Sequence, residues 1–90
     1  MEIYTTTRGT RIALGDRFRD VGRSDARTLL VVEIGKPYAD WKGTRRCPVT
    51  YRVVAQVGQT KLPSQVKTID AERLADRKLF VRVGSAGGEA

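Results

Sequence analysis

Leu29, Leu30, Val31 and Val32 form the longest uninterrupted hydrophobic run of the chain. They sit inside Arg27–Ile34, with Gly22, Ser24 and Asp25 before them and Gly35 and Pro37 after. Aliphatic and β-branched residues between turn formers predict a strand, largely buried, because the space between the turns is too short for three helical turns. Val49 to Val57 carries the cleanest alternation: Val49, Tyr51, Val53, Ala55 and Val57 fall on one face, Thr50, Arg52, Val54 and Gln56 on the other. Period two predicts a half-buried strand.

The remaining pattern is made of shorter pieces. Ile3, Tyr4, Ile12 and Leu14, interrupted by three threonines and Gly9, predict one or two short strands meeting at a turn. Gly15-Asp16 supplies a further turn before Arg17-Phe18-Arg19, which reads as a strand with Phe18 on the dry face. Asp20 to Asp25 and Gly35 to Pro48 read as loops. Gly58-Gln59-Thr60 and Pro63-Ser64 punctuate the approach to a short strand, Gln65 to Ile69. Asp70 to Leu74 is the one helical piece, a single turn expected to be capped by Asp70 with Leu74 reaching the core. Lys78 to Val83 is expected as the last strand, with Leu79, Val81 and Val83 on one face and Phe80 and Arg82 on the other. Gly84 to Ala90 is expected to be a disordered tail, which leaves 1–83 as one domain.

Five or so short antiparallel strands in so small a protein protect their edges best by curling around one core, so the fold class expected is an all-β small barrel. The Gly-Asp turn with Phe18, the Leu-Val-Val strand, the long loop, the alternating strand and Ile69-Asp70-Ala71-Glu72-Arg73-Leu74 before a final strand together resemble the SH3-like small barrels. KOW-type and Tudor-type modules belong to these, and the chain looks particularly like small barrel proteins of actinobacteria and their phages. The resemblance spans Gly15 to Val83 and rests on punctuation and hydrophobicity. It implies a five-stranded antiparallel barrel with one 3₁₀ or helical turn before the last strand. In KOW-type modules a Gly-centred turn touches nucleic acid, a part open here to Gly15-Asp16 or Gly58-Gln59. No aromatic cage of the Tudor kind can be read from three Tyr, two Phe and one Trp.

Charge changes the picture next. The chain carries 17 Lys and Arg against 10 Asp and Glu, a net charge of +7, and its pI is near 10.2. That excess points to acidic partners, nucleic acid first, although the same Arg-rich composition also suits an ordinary solvated surface. One Cys and no His rule out an intrachain disulfide and a four-ligand zinc site of the usual kind. Cys47 is expected to act as a small hydrophobe beside Pro48, since no His can serve as its base. The free thiol, and a start without a basic region followed by an apolar one, lead to a cytoplasmic expectation with no membrane span and no metal.

Three groups are candidate binding residues. The loop from Lys36 to Arg46 interleaves Tyr38 and Trp41 with Lys36, Lys42, Arg45 and Arg46, the combination that stacks a base and neutralises its phosphates. Trp41 either anchors a partner at the surface or folds over the barrel mouth; its usual burial favours the second. Arg17 and Arg19 share a face and belong to a wider set with Arg8, Arg11, Arg23 and Arg27, read either as a phosphate ridge or as an edge charged against sheet pairing. Arg52, Phe80 and Arg82 form a third group on outer strand faces, unless Phe80 packs beneath Ile3 and Tyr4.

Catalysis finds no support in the spacing. Asp16, Asp20, Asp25, Asp40, Asp70 and Asp76 are scattered among cations, and neither a nucleophile with its base nor a nucleotide-binding Gly pattern occurs. The expectation is a non-enzymatic basic barrel, with no cofactor, that binds DNA or RNA mainly through phosphate contacts. The rival expectations are a phage or host adaptor that binds a protein through the 36–46 loop or an open strand edge, and a structural subunit that assembles into a ring or sheath.

Overall fold

A computed structural model describes residues 2–84. Among them are nine strands and one short helix: β1 (Ile3–Thr5), β2 (Arg11–Ala13), β3 (Arg17–Asp20), β4 (Arg27–Ile34), β5 (Tyr38–Ala39), β6 (Arg45–Arg46), β7 (Pro48–Gln56), β8 (Val66–Asp70), α1 (Ala71–Leu74) and β9 (Phe80–Gly84). Five strands form one antiparallel sheet in the order β8-β7-β4-β3-β9, while β1-β2 and β5-β6 are separate two-stranded ribbons. The protein is mostly β, as the hydrophobic pattern predicts, and its helical turn falls before the last strand.

The central strand β4 is the eight-residue stretch singled out by its apolar run. Leu29 and Val31 are buried, and so is Ile34, which simple alternation would turn outward. The reason is a bulge. Val31 lies opposite Tyr51 and Glu33 opposite Thr50, which leaves Val32 as an extra residue and reverses the alternation beyond it. A second bulge does the same to β7. Leu29 pairs with Val53 and Thr28 with Ala55, so Val54 is the extra residue. Val49, Tyr51 and Val53 point into the core as expected, but Ala55 and Val57 are exposed.

The last strand turns the opposite face inward, because Phe80 and Arg82 lie across from the buried Asp20 and Phe18. Phe18 pairs with Arg82 and Arg17 with Gly84, with Val83 the extra residue between them. Phe80 lies opposite Asp20 and is buried in the core, whereas Val81 and Val83 are about half exposed. Phe80 is therefore a core residue and not an outward partner for a base. Gly84 belongs to β9; residues 85–90 of the expected tail lie outside the described residues.

The core gathers Tyr4 and Ile12 from the β1-β2 ribbon, Phe18, Leu29, Val31 and Ile34 from the sheet, and Ala71, Leu74 and Phe80 from the last third of the chain. Cys47 is fully buried among them, its thiol donating to the Gly35 carbonyl oxygen at 3.5 Å. Burial, with the Asp70 charge second, pushes that thiol above its ordinary pKa, which fits the hydrophobe expected of it.

Buried carboxylates close the turns. Asp20 accepts hydrogen bonds from Arg27 N–H at 2.8 Å, Arg27 Nε at 2.8 Å and a terminal Arg27 nitrogen at 3.1 Å, tying the β3–β4 connection shut. Burial works to raise its pKa, but the Arg27 hydrogen bonds and the charges of Arg27 and Arg23 outweigh it and hold the group below the ordinary aspartate value. Asp70 departs from its expected part. Its side chain makes no cap bond to α1; it accepts instead from the Cys47 N–H at 3.0 Å and from Arg46 at 3.4 Å. The carboxylate thus pins the start of β7 to the end of β8, and α1 is held by its buried Ala71 and Leu74.

Candidate nucleic-acid interface

The segment from Lys36 to Arg46, expected as a loop, is a small hairpin. Its base is set at Gly35, whose N–H donates to the Pro48 carbonyl at 2.8 Å. A Cβ at Gly35 would lie 2.7 Å from Pro48 Cγ, so only glycine permits that approach. Tyr38 pairs with Arg46 and Ala39 with Arg45 across the stem. Asp40 then organises the turn. Its Oδ1 accepts from the N–H of Lys42 and of Thr44, both at 2.9 Å, and its Oδ2 from Arg46 Nε at 3.1 Å. The backbone adds Asp40 N–H to the Thr44 carbonyl and Gly43 N–H to the Asp40 carbonyl, and Gly43 takes φ +78° to close it. The hydrogen bond from Thr44 N–H, foremost, and those from Arg46 and Lys42 hold the Asp40 carboxyl below its usual range.

This turn presents Trp41. The indole is 89% exposed, so it does not fold over the core as its usual burial suggests. Lys42 Nζ lies 5.0 Å from the centre of its ring, and Tyr38 beside it is 56% exposed. The cations of the hairpin divide. Arg46 is spent on Asp40 and Asp70. Lys36, Lys42 and Arg45 form no ion pair among the described residues. The Arg45 guanidinium rests 5.1 Å from the ring centre of Tyr4, which anchors the hairpin stem to the body of the protein. Tyr4 is buried below it, and its hydroxyl has no hydrogen-bond partner among the described residues; burial raises its pKa.

A second basic surface lies on the outer side of the five-stranded sheet. Arg17 and Arg19 flank the buried Phe18 and are both exposed, as their alternation predicts. The register then adds a residue that the linear sequence assigns elsewhere. Arg17 lies opposite Leu30, and Leu30 opposite Arg52, so Arg17, Leu30 and Arg52 form one row on the outward face, the two arginines about 10 Å apart across three strands. None of these three arginines has an ion-pair partner among the described residues.

Other expected site residues are occupied. Arg82 binds the buried Asp16 carboxylate and the Arg11 carbonyl oxygen, and its guanidinium sits 4.9 Å from the ring centre of Phe18. Its charge therefore serves the fold although the residue stays exposed, while Phe80 is buried and not at the outer surface position expected of it. Arg27 and Arg23 are likewise paired with Asp20 and Asp25. What sequence reasoning missed is a cleft beside α1 that includes Arg77 and Lys78 in its lining. The adjacent pair of cations after the helical turn was the only signal, and nothing in the sequence places the turn of the β1-β2 ribbon across from it.

Among the described residues no group of three His, Cys, Asp or Glu side chains can hold a metal ion, and no helix is long and apolar enough to cross a membrane. No protein-family model, no curated protein and no solved structure matches the chain.

Proposed function

We propose that the chain is a non-enzymatic SH3-like barrel that binds single-stranded nucleic acid, with bases stacking on Trp41 and Tyr38 and phosphates lying against Lys36, Lys42 and Arg45. The fold part of this reading is supported by the strand order. β3 lies between β4 and β9, so the last strand returns to the first strand of the sheet, with the helical turn α1 just before it. The binding part is carried by one observation: a Trp 89% exposed at the tip of a hairpin whose turn is closed by Asp40.

An exposed indole costs solubility and contributes nothing to the core, whereas stacking a base on it is worth about 1–3 kcal/mol. A base can stack fully on a protruding ring only when it is unpaired, which favours single strands over duplex. Arg17, Arg19 and Arg52 provide a further track for the backbone on the outer sheet face. Phosphate contacts release counterions, so affinity falls steeply with salt.

The test is a titration of a fluorescent oligothymidine and of a duplex of equal length at low and moderate salt. Tighter binding of the single strand, weakening as salt rises, is expected. Absence of binding at low salt, or equal binding of both forms, would overturn the reading.

A second reading, a protein-interaction module, draws on the exposed edge strand β8, where Val66 is 55% exposed and one side of the backbone has no strand partner among the described residues. A stoichiometric protein captured from nuclease-treated lysate, and lost on substitution of Val66, would favour it over the first.

A further inference from the structure

Two clefts meet beside α1. The larger, about 470 Å³, is rimmed by Arg8 in the turn between β1 and β2 and by Arg77 and Lys78 in the turn between α1 and β9. The smaller, about 280 Å³, has Phe18, Leu74 and Phe80 as its floor and the half-exposed Val81 as a wall. Thr10, Ala75 and Arg77 line both, so they form one groove with a cationic end and an apolar end.

The charges at the two ends are not equivalent. Arg8, Arg77 and Lys78 have no ion-pair partner among the described residues. The acids in the lining are already engaged by backbone and hydroxyl donors. Glu72 accepts from the Thr7 N–H at 2.9 Å and from the Thr7 hydroxyl at 3.0 Å, and Asp76 accepts from the Lys78 N–H at 2.9 Å. The Glu72 bonds also tie the β1-β2 turn to α1 across the groove. At the apolar end Arg82 is held by Asp16 and lies over Phe18, so it acts as a fixed wall.

We propose that this groove is a second binding site, separate from the hairpin, for an organic phosphate carrying a flat aromatic ring. The ring enters the apolar end against Val81 and the floor of Phe18, Leu74 and Phe80, while the phosphate lies between Arg8, Arg77 and Lys78. The joined volume falls within the range of about 300–1,000 Å³ usual for small-ligand sites, and an apolar pocket with a few convergent charged groups is their common composition. An aromatic phosphate uses both ends, whereas phosphate alone or an uncharged nucleoside uses one. The same chemistry is offered by a free mononucleotide and by the phosphorylated end of a strand.

The probe is adenosine monophosphate, titrated at low salt into the Trp41→Ala protein, with amide chemical shifts recorded by nuclear magnetic resonance. Saturable shifts at Thr6, Thr10, Ala75 and Val81 are expected, with adenosine and inorganic phosphate each binding about tenfold more weakly, as the loss of charge-assisted hydrogen bonds or of ring burial requires. The Arg8→Glu/Arg77→Glu protein, altered only at exposed side chains without ion pairs among the described residues, should keep its thermal midpoint and lose the binding by a similar factor. Absence of saturable shifts, shifts confined to the hairpin, or undiminished binding by a folded double variant would overturn the proposal; should that variant fail to fold, Lys78→Glu replaces it under the same criteria. Short oligonucleotides with and without a 5′-phosphate identify the source. Preference for the phosphorylated end assigns the groove to strand ends, and binding of the mononucleotide alone assigns it to free nucleotides.

Discussion

Three aromatic rings in this protein carry a cation at nearly the same distance, and two of them make the contrast: Arg82 at 4.9 Å from Phe18 and Lys42 at 5.0 Å from Trp41. The first pair belongs to the fold. Phe18 is 3% exposed, and Arg82 is neutralised by the buried Asp16. The second pair stands on a hairpin tip with an exposed ring and a cation free of ion pairs among the described residues. An aromatic beside a cation is thus one signal with two meanings, and what separates them is whether a carboxylate has already taken the charge and the core has already taken the ring. The proposed site is the pair for which neither has happened.

The comparison is broken most forcefully at Phe18. Phe18→Ala should cost about 3–5 kcal/mol of stability through the cavity it leaves in the core, measured by urea unfolding. Trp41→Ala should shift the unfolding midpoint by no more than a surface substitution does, about 0.5 kcal/mol. Yet it should weaken oligothymidine binding by about 1–3 kcal/mol, read by fluorescence anisotropy. A large stability loss at Trp41, or full binding without it, would remove the distinction between the two rings.

Asp16→Ala comes next, because it strips both Arg82 and the Ala13 N–H, a 2.9 Å donor, of their buried acceptor. A loss of about 1–3 kcal/mol is expected. The corresponding change on the hairpin, Asp40→Ala, should leave the global unfolding midpoint in place while speeding hydrogen exchange of the Lys42 and Thr44 amides, which then lose their shared acceptor.

A smaller effect sharpens the same contrast through pH. The Asp20 pKa is held below its ordinary value in the folded state, so its contribution is fully present above the unfolded pKa and is lost as pH falls toward the folded one. Asp20→Asn should therefore make the acid limb of the stability profile shallower, by urea midpoints taken from neutral pH downward. An unchanged slope would mean that the Arg27 bonds do not distinguish the two states. The smallest effect expected is at Cys47: its buried, raised thiol should react with iodoacetamide far more slowly in native protein than in urea.

Much of the architecture was legible without the structure. The runs around Leu29 and Val49, the alternation of Phe18 with two arginines and the helical turn ending at Leu74 all appear where local pattern places them, because burial on one face of a strand imposes period two. The errors collect where one residue shifts that period. An extra residue at Val54 reversed the faces of what followed, hiding the outward direction of Ala55 and Val57, and one at Val32 turned Ile34 inward. Phe80 lies before the bulge at Val83 and points inward because it pairs with the buried Asp20. A bulge leaves no compositional mark when the extra residue is itself a valine.

The candidate site divides in the same way. Its residue types on the hairpin were apparent from the interleaving of Tyr38 and Trp41 with cations, but not which of those cations were already paired. Asp70, a plausible cap from its position before α1, turned out to bind Cys47 and Arg46 across the sheet. Arg52 joined Arg17 only through pairing of both strands with β4.

What the sequence by itself determined is the strands of the main sheet, the mostly β class and the excess of positive charge, since these follow from local periodicity and from counting. Which charges remain available, whether Trp41 is core or surface, and which turns face one another across the groove beside α1 were decided by tertiary structure alone. Ion pairing and burial depend on residues far apart in the chain meeting through strand register, and register is set by the packing of the whole sheet on its core.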